Sequence, residues 1–169
     1  PGLVVASYGR HCIVETPDGV RRICHPRGKK SQVVVGDQVL WQATGDQGTI
    51  EKVEPRRNLF YRQDEIRTKS FAANLDQVLI LIAAEPEFSE SQLSRALIAA
   101  EAEHIRPVIA LNKSDLVEPF QRAWQRMGVY REMGYAVLPL ALKPRSNAHP
   151  ETEHHLDDVL AGKTTLVLG

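Results

Sequence analysis

Two cysteines, no long apolar run and no surplus of either charge sign set the first limits on this chain of 169 residues. No stretch approaches the roughly 20 apolar residues of a membrane-spanning helix, and no signal peptide is visible. Cys12 and Cys24, in a chain without secretory features, read as reduced thiols and point to the cytoplasm, with no membrane partner. Lys plus Arg balance Asp plus Glu at 21 each, but unevenly. Residues 1–70 hold 12 basic and 8 acidic side chains, and residues 71–169 hold 9 and 13. A basic half beside an acidic half points to a nucleic-acid contact through the first. The remaining composition is that of a globular chain, long enough for one domain or two small ones. No boundary signal marks Pro1 or Gly169, so the chain is expected to be part of a longer one.

What is present is organised around Val108-Ile109-Ala110-Leu111, an apolar run that ends in Asn112-Lys113-Ser114-Asp115. A short apolar run bounded by breakers reads as a strand buried on both faces of a parallel sheet. In such sheets ligands bind off the carboxyl ends of the strands, where this polar tetrad emerges. The residue types suit a guanine base. Guanine presents two adjacent donors, a ring N–H and an exocyclic amine, and the Asp115 carboxylate only accepts. Adenine lacks that donor pair. Asn112 can both donate and accept, and so can meet the acceptor edge of the base or brace a neighbouring loop. The Lys113 stem can lie over the ring with its ammonium in water. The plainer alternative is a loop in which Asn112 and Asp115 are turn or helix-cap residues.

Residues 1–54 read as all-β. Strands are expected over Leu3–Ser7, Cys12–Glu15, Val20–Cys24, Gln38–Gln42 and Thr49–Val53, with a turn at Thr16-Pro17-Asp18-Gly19. Five short strands with regular turn signals predict a small barrel, an OB-fold in the first instance and an SH3-like barrel as its rival. The loop Pro26-Arg27-Gly28-Lys29-Lys30 offers phosphate contacts or is simply solvated. Residues 55–70 read as a basic linker, with Arg56 and Arg57 as further surface contacts and Phe60 and Tyr61 packing. If the hairpin register follows the turn, Cys12 faces Cys24 and His11 faces His25. The two pairs then lie on opposite faces and cannot share one tetrahedral metal.

From residue 71 onward the pattern is α/β. Buried strands are expected at Gln77–Ala84, Val108–Leu111, Ala136–Leu140 and Thr164–Leu168. The first helix runs from an N-cap at Ser89, with Leu93, Leu97 and Ala100 facing the core, to a C-terminus near His104. A second helix spans Glu118–Glu132 and a short one Leu156–Leu160, after a loop over 144–154. His149, His154 and His155 find no convincing fourth metal ligand. Gly162-Lys163-Thr164 is no P-loop, because Asp157 stands where the first glycine belongs and a strand follows where a helix should. Leu166-Val167-Leu168-Gly169, by contrast, reads as a P-loop strand with its first glycine.

This order of parts resembles a circularly permuted GTPase, and specifically the ribosome small-subunit-dependent GTPase A family. The resemblance rests on Tyr8-Gly9-Arg10, Pro26 to Lys30, Gly36-Asp37, Pro55-Arg56-Arg57-Asn58-Leu59, Ala73 to Gln77 and Asn112 to Asp115. It implies an OB-fold at 1–54 in contact with rRNA, for which Arg27, Lys29 and Lys30 of that domain and Arg56 and Arg57 of the linker are the candidate residues, and a permuted GTPase domain over 71–169. It implies GTP or GDP held by Asn112, Lys113, Ser114 and Asp115, by Ala141, Leu142 and Lys143 (where Ser-Ala-Lys is usual), and by Gly169. It further implies a monomer acting in late maturation of the small ribosomal subunit, which stimulates its GTP hydrolysis. The catalytic residues, Mg²⁺ and one structural Zn²⁺ belong to segments beyond Gly169, so this stretch alone should not hydrolyse GTP usefully. A different reading is a non-enzymatic RNA-binding module with a structural α/β half. An adenine-nucleotide enzyme is a third, which Asp115 argues against.

Overall fold

The structure, a computed structural model, describes residues 1–28, 32–143 and 150–169. It divides into two compact units, Pro1–Leu75 and Asp76–Gly169. In the first, β1 (Gly2–Ser7), β2 (Cys12–Glu15), β3 (Arg21–Pro26), β4 (Gln38–Thr44) and β5 (Gln47–Val53) close a barrel in the order β1-β2-β3-β5-β4. β3 and β5 are parallel, while β1 closes on β4 antiparallel, which is the OB arrangement rather than the SH3 one. Alternation fills the barrel: Val4, Cys12, Val14, Cys24, Val39 and Ile50 point inward with Trp41 against them. Cys12 stands opposite Cys24 in the β2–β3 ladder, as the turn requires. Burial pushes the Cys12 thiol up to about 11, as expected of an inert core cysteine. The His11 and His25 rings stand 6.2 Å apart, outside that core.

Residues 55–70 are not a linker. β6 (Leu59–Gln63) and β7 (Thr68–Ala73) form an antiparallel ribbon within the first unit. Asp64 nucleates its turn, its Oδ1 accepting from the N–H groups of Ile66 (3.0 Å) and Arg67 (2.9 Å). Phe60 is buried edge-on against Phe71. The ribbon joins the barrel where Val35 bridges Ala72 and the Ala73 N–H donates to Val35 O at 2.8 Å. Gly36 permits that approach. Its φ is +93°, and a Cβ there would lie 2.0 Å from Ala73 O.

The second unit is a parallel sheet in the order β10-β9-β8-β11, from β8 (Gln77–Ala83), β9 (Arg106–Asn112), β10 (Ala136–Pro139) and β11 (Thr165–Leu168). The chain adds β9 and β10 on one side of β8, then returns to place β11 on the other. The carboxyl ends of β8 and β11 therefore mark a topological switch point. α4 (Pro150–Leu160) covers Leu79, Val108, Ala110, Leu138 and Leu140 through Leu156, Val159 and Leu160. The alternating residues Val78, Ile80, Ile109 and Leu111 face the other way, and α1 (Glu90–Ala102) packs on β8 and β9. α4 begins earlier than its apolar residues predict, because Pro150 supplies a first helical position rather than a loop breaker. His149 lies outside the described residues. The second helix is two, α2 (Val117–Arg126) and α3 (Gly128–Glu132), divided next to Gly128, a weak helix former, with Met127 fully buried at the break.

α1 carries the expected cap, with Ser89 Oγ accepting from the Gln92 N–H at 3.3 Å. At its other end His104 adopts φ +55° in a Schellman turn, the Ile105 N–H reaching Ala100 O at 2.9 Å and the His104 N–H reaching Glu101 O at 3.1 Å. A left-handed L-residue costs roughly 1–2 kcal/mol, and glycine gives back about 0.4–1 kcal/mol through the unfolded chain. His104→Gly is therefore expected to stabilise the protein by about 0.5–1 kcal/mol, read as a higher urea midpoint at unchanged m-value. An unchanged or lower midpoint would show that His104 contributes contacts worth more than the strain.

Candidate guanine-nucleotide site

The strand ends assemble the candidate site. β9 delivers Asn112 at its last position, and the Ala84 N–H, just past β8, bonds Asn112 O at 3.1 Å, so the two strands leave the sheet together. Lys113 follows at φ +68°, turning the chain sharply. The Ser114 N–H donates to Leu140 O (2.9 Å) and the Leu140 N–H to Leu111 O (2.8 Å), stitching the loop after β9 to the chain leaving β10. Asn112 completes the joint, its Oδ1 accepting the Leu142 N–H at 3.0 Å. Of the two roles open to Asn112 in the sequence, the structure thus shows the brace. The two loops are one object, with Ala141 buried and Leu142 and Lys143 exposed.

Asp115 is half-buried beside them. It does not cap α2: the N-cap is Leu116, with no side-chain hydrogen bond, and among the described residues no partner holds the Asp115 carboxylate. Lys113 crosses from the end of β9 to the chain after β8, its Nζ donating to Glu85 O. Gly169 lies just past β11, where a Cβ would come no closer than 3.9 Å to Leu81 O. Asn112 to Asp115, Ala141 to Lys143 and Gly169 therefore all leave the carboxyl edge of one parallel sheet. That edge offers an unpaired acceptor, a lysine stem and a braced loop, a set able to grip a planar base with two adjacent donors.

The basic residues expected on the first unit divide differently. Arg27 is exposed and paired with Glu51 at 2.9 Å, and Lys29 and Lys30 lie outside the described residues. Arg56 faces inward. Its Nε and Nη2 bond the two Asp37 oxygens at 2.7 and 2.8 Å, and Nη2 also reaches Gln32 O at 2.8 Å. That carboxylate raises the Arg56 pKa further above its ordinary value. Expected as a phosphate contact, Arg56 has a structural role here, because Asp37 and Gln32 engage its Nε and Nη2 donors. Arg57 is held against Asn74, its N–H on Oδ1 at 2.7 Å and its Nη2 on the backbone O at 3.0 Å. Sequence reading missed the ribbon's cations: Arg62 lies directly opposite Lys69, two like charges on one face. Only the strand register, hidden within the supposed linker, brings them together. Among the described residues no three His, Cys, Asp or Glu side chains are placed to hold a metal ion, so neither the Zn²⁺ nor the Mg²⁺ implied by the resemblance is assigned ligands here.

An OB-type barrel, followed by a parallel sheet in which the Asn112–Asp115 loop precedes the strand leading to Gly169, defines a circularly permuted GTPase architecture. The family model for the RsgA GTPase matches residues 53–169, more than half of the chain, and the chain belongs to that family. The small ribosomal subunit biogenesis GTPase RsgA of Variovorax paradoxus is 72% identical over 99% of this chain and 52% of its own length. That of Paraburkholderia phytofirmans is 46% identical over 99% of this chain and 53% of its own. The crystal structure of YjeQ from Thermotoga maritima matches with a TM-score of 0.71 at 26% identity, covering 99% of this chain and 59% of that one. The chain spans about half the length of the curated relatives it matches.

Proposed function

We propose that this chain is the rRNA-contacting and guanine-recognising part of a GTPase acting in maturation of the small ribosomal subunit. The observation that carries the reading is the Asp115 carboxylate, half-buried and without a partner among the described residues, beside the loop that Asn112 braces. It takes the ring N–H and amine of guanine. Lys113 and Lys143 line the base, the loop at Ala141 and Leu142 offers main-chain polar groups, and Ser114 holds the two loops together. Gly169 opens the phosphate side, and a GTPase needs a Mg²⁺-bearing phosphate cradle there. The relatives' names support the ribosomal setting, since they are small ribosomal subunit biogenesis GTPases. In this reading the protein works as a cytoplasmic monomer.

The rRNA contact runs along the first unit through Arg27, Lys29 and Lys30, with the Arg62–Lys69 pair on the ribbon. Like charges placed directly opposite each other destabilise a ladder, and a phosphate between them reverses that cost. The test is titration of the full-length protein with GDP and ADP, followed by GTP turnover with and without purified small subunits. Tight GDP binding, weak ADP binding and faster turnover on subunits are expected. Equal binding of both nucleotides, or turnover indifferent to subunits, would sink the reading. In the second case an RNA-binding module with a structural α/β half would take its place.

A further inference from the structure

Lys113 is held from a distance. Its Nζ is fixed on Glu85 O, and Glu85 begins the segment that connects β8 to α1. That segment is gripped from the opposite end of α2 by one side chain. Arg126 Nη1 bonds Glu87 Oε1 at 2.7 Å, while Nε and Nη2 bond Glu90 Oε1 at 3.2 and 3.0 Å. Its guanidinium also lies 4.5 Å from the centroid of the Phe88 ring. Two residues of that segment and the first residue of α1 thus converge on a single planar cation whose donors point in fixed directions. Glu87 and Glu90 are largely exposed, so each pair alone adds little stability. Their combined geometric effect is to fix where the segment stands, and with it the carbonyl that Lys113 reaches.

We propose that Arg126 is a positioning residue for guanine nucleotide, acting through the 85–90 segment on Lys113. The inference rests on the guanine reading of the site. The Lys113 stem spans the carboxyl ends of β9 and β8, and so forms a wall of the base slot only while Glu85 O holds its far end. Releasing the segment frees four side-chain torsions of Lys113 in the empty site, and nucleotide must then reorder them on binding. A wall of methylene groups does not sense the exocyclic amine. The effect is therefore equal for GDP and for inosine diphosphate, in contrast to any change at Asp115.

The test is stopped-flow release of fluorescent GDP and IDP analogues from the full-length protein. The variants are Arg126→Ala, Lys113→Ala, their combination, and Glu87→Gln with Glu90→Gln, which leaves α2 untouched if Arg126→Ala fails to fold. Arg126→Ala and the glutamine pair are expected to speed release of both nucleotides about tenfold, and Arg126→Ala to add less than about twofold in the Lys113→Ala background. Unchanged release in the glutamine pair, or an Arg126→Ala effect that multiplies fully with Lys113→Ala, would overturn the proposal. Asp115→Asn serves as the separate control. If it leaves GDP release unchanged, the guanine reading itself has failed rather than the Arg126 coupling.

Discussion

Asp115→Asn is expected to weaken GDP binding by about three orders of magnitude while leaving the fold intact. In the proposed site the carboxylate accepts two charge-assisted hydrogen bonds from adjacent donors of the base, each worth about 1.5–3 kcal/mol. The substitution preserves one acceptor oxygen but turns an amide N–H₂ toward a donor, so one bond is lost and a donor faces a donor. ADP, which never made the pair, loses little. Xanthosine diphosphate carries a carbonyl where guanine has its amine, and so gains the bond that GDP loses. The sign of the XDP change is the sharper readout, because general damage to the site weakens every nucleotide. Calorimetric titration of the full-length variant with GDP, ADP and XDP checks all three. GDP binding within about threefold of the native protein would remove Asp115 from the site, since even a single such bond is worth more than that. Because Asp115 does not cap α2, the substitution leaves that helix's N-terminus as it was.

The loop after β9 was legible in the sequence because its signal is local. Four apolar residues end in four polar ones, and period and position suffice to place them at a strand's carboxyl end. The barrel was legible for the same reason, each turn carrying its own chemistry, down to the pairing of Cys12 with Cys24. The ribbon was not. Its strands carry Arg62, Gln63, Thr68 and Lys69, and their cross-strand pairs follow no apolar alternation, so composition reads as a linker. The start of α4 was obscured because proline breaks a helix interior yet favours its first turn, and only the structure shows which applies at Pro150. Asn112 left two options open, and the choice depended on Leu142, thirty residues on. Arg56 was read from its basic neighbours as a surface contact, whereas its partner Asp37 lies nineteen residues back, with nothing local to signal the pair. In each case the missing information was a contact between distant positions, the kind that periodicity and capping rules do not encode.

Arg56→Ala is expected to cost the protein about 3–5 kcal/mol, the largest stability loss foreseen for any surface-to-core ion pair here. Asp37 is fully buried, and its carboxylate is satisfied by Arg56 at both oxygens and by the Val34 N–H at 2.9 Å. Removing the guanidinium leaves a buried charge with one backbone donor and frees Gln32 O as well. The loss falls where the ribbon meets the barrel, since Gly36 beside Asp37 already carries the close approach to Ala73. An exposed pair gives the contrast: Arg21–Glu15, at 2.7 Å but with the arginine 66% exposed, should cost less than about 1 kcal/mol when Arg21 is changed to alanine. Equal distances with unequal burial thus separate desolvation from contact geometry. The double variant Arg56→Met with Asp37→Asn removes both charges, keeps an acceptor for Val34 and refills the arginine's volume. It should recover more than half of the loss, because an apolar replacement of a buried pair is often close to neutral. Urea unfolding of the full-length protein, with near-ultraviolet circular dichroism reporting Trp41 in the barrel wall, measures all three. A cost below about 1 kcal/mol for Arg56→Ala would mean that water reaches Asp37 and that the pair is an ordinary surface contact. A double variant as unstable as the single one would instead mean that the charge itself, and not merely its compensation, holds the joint together.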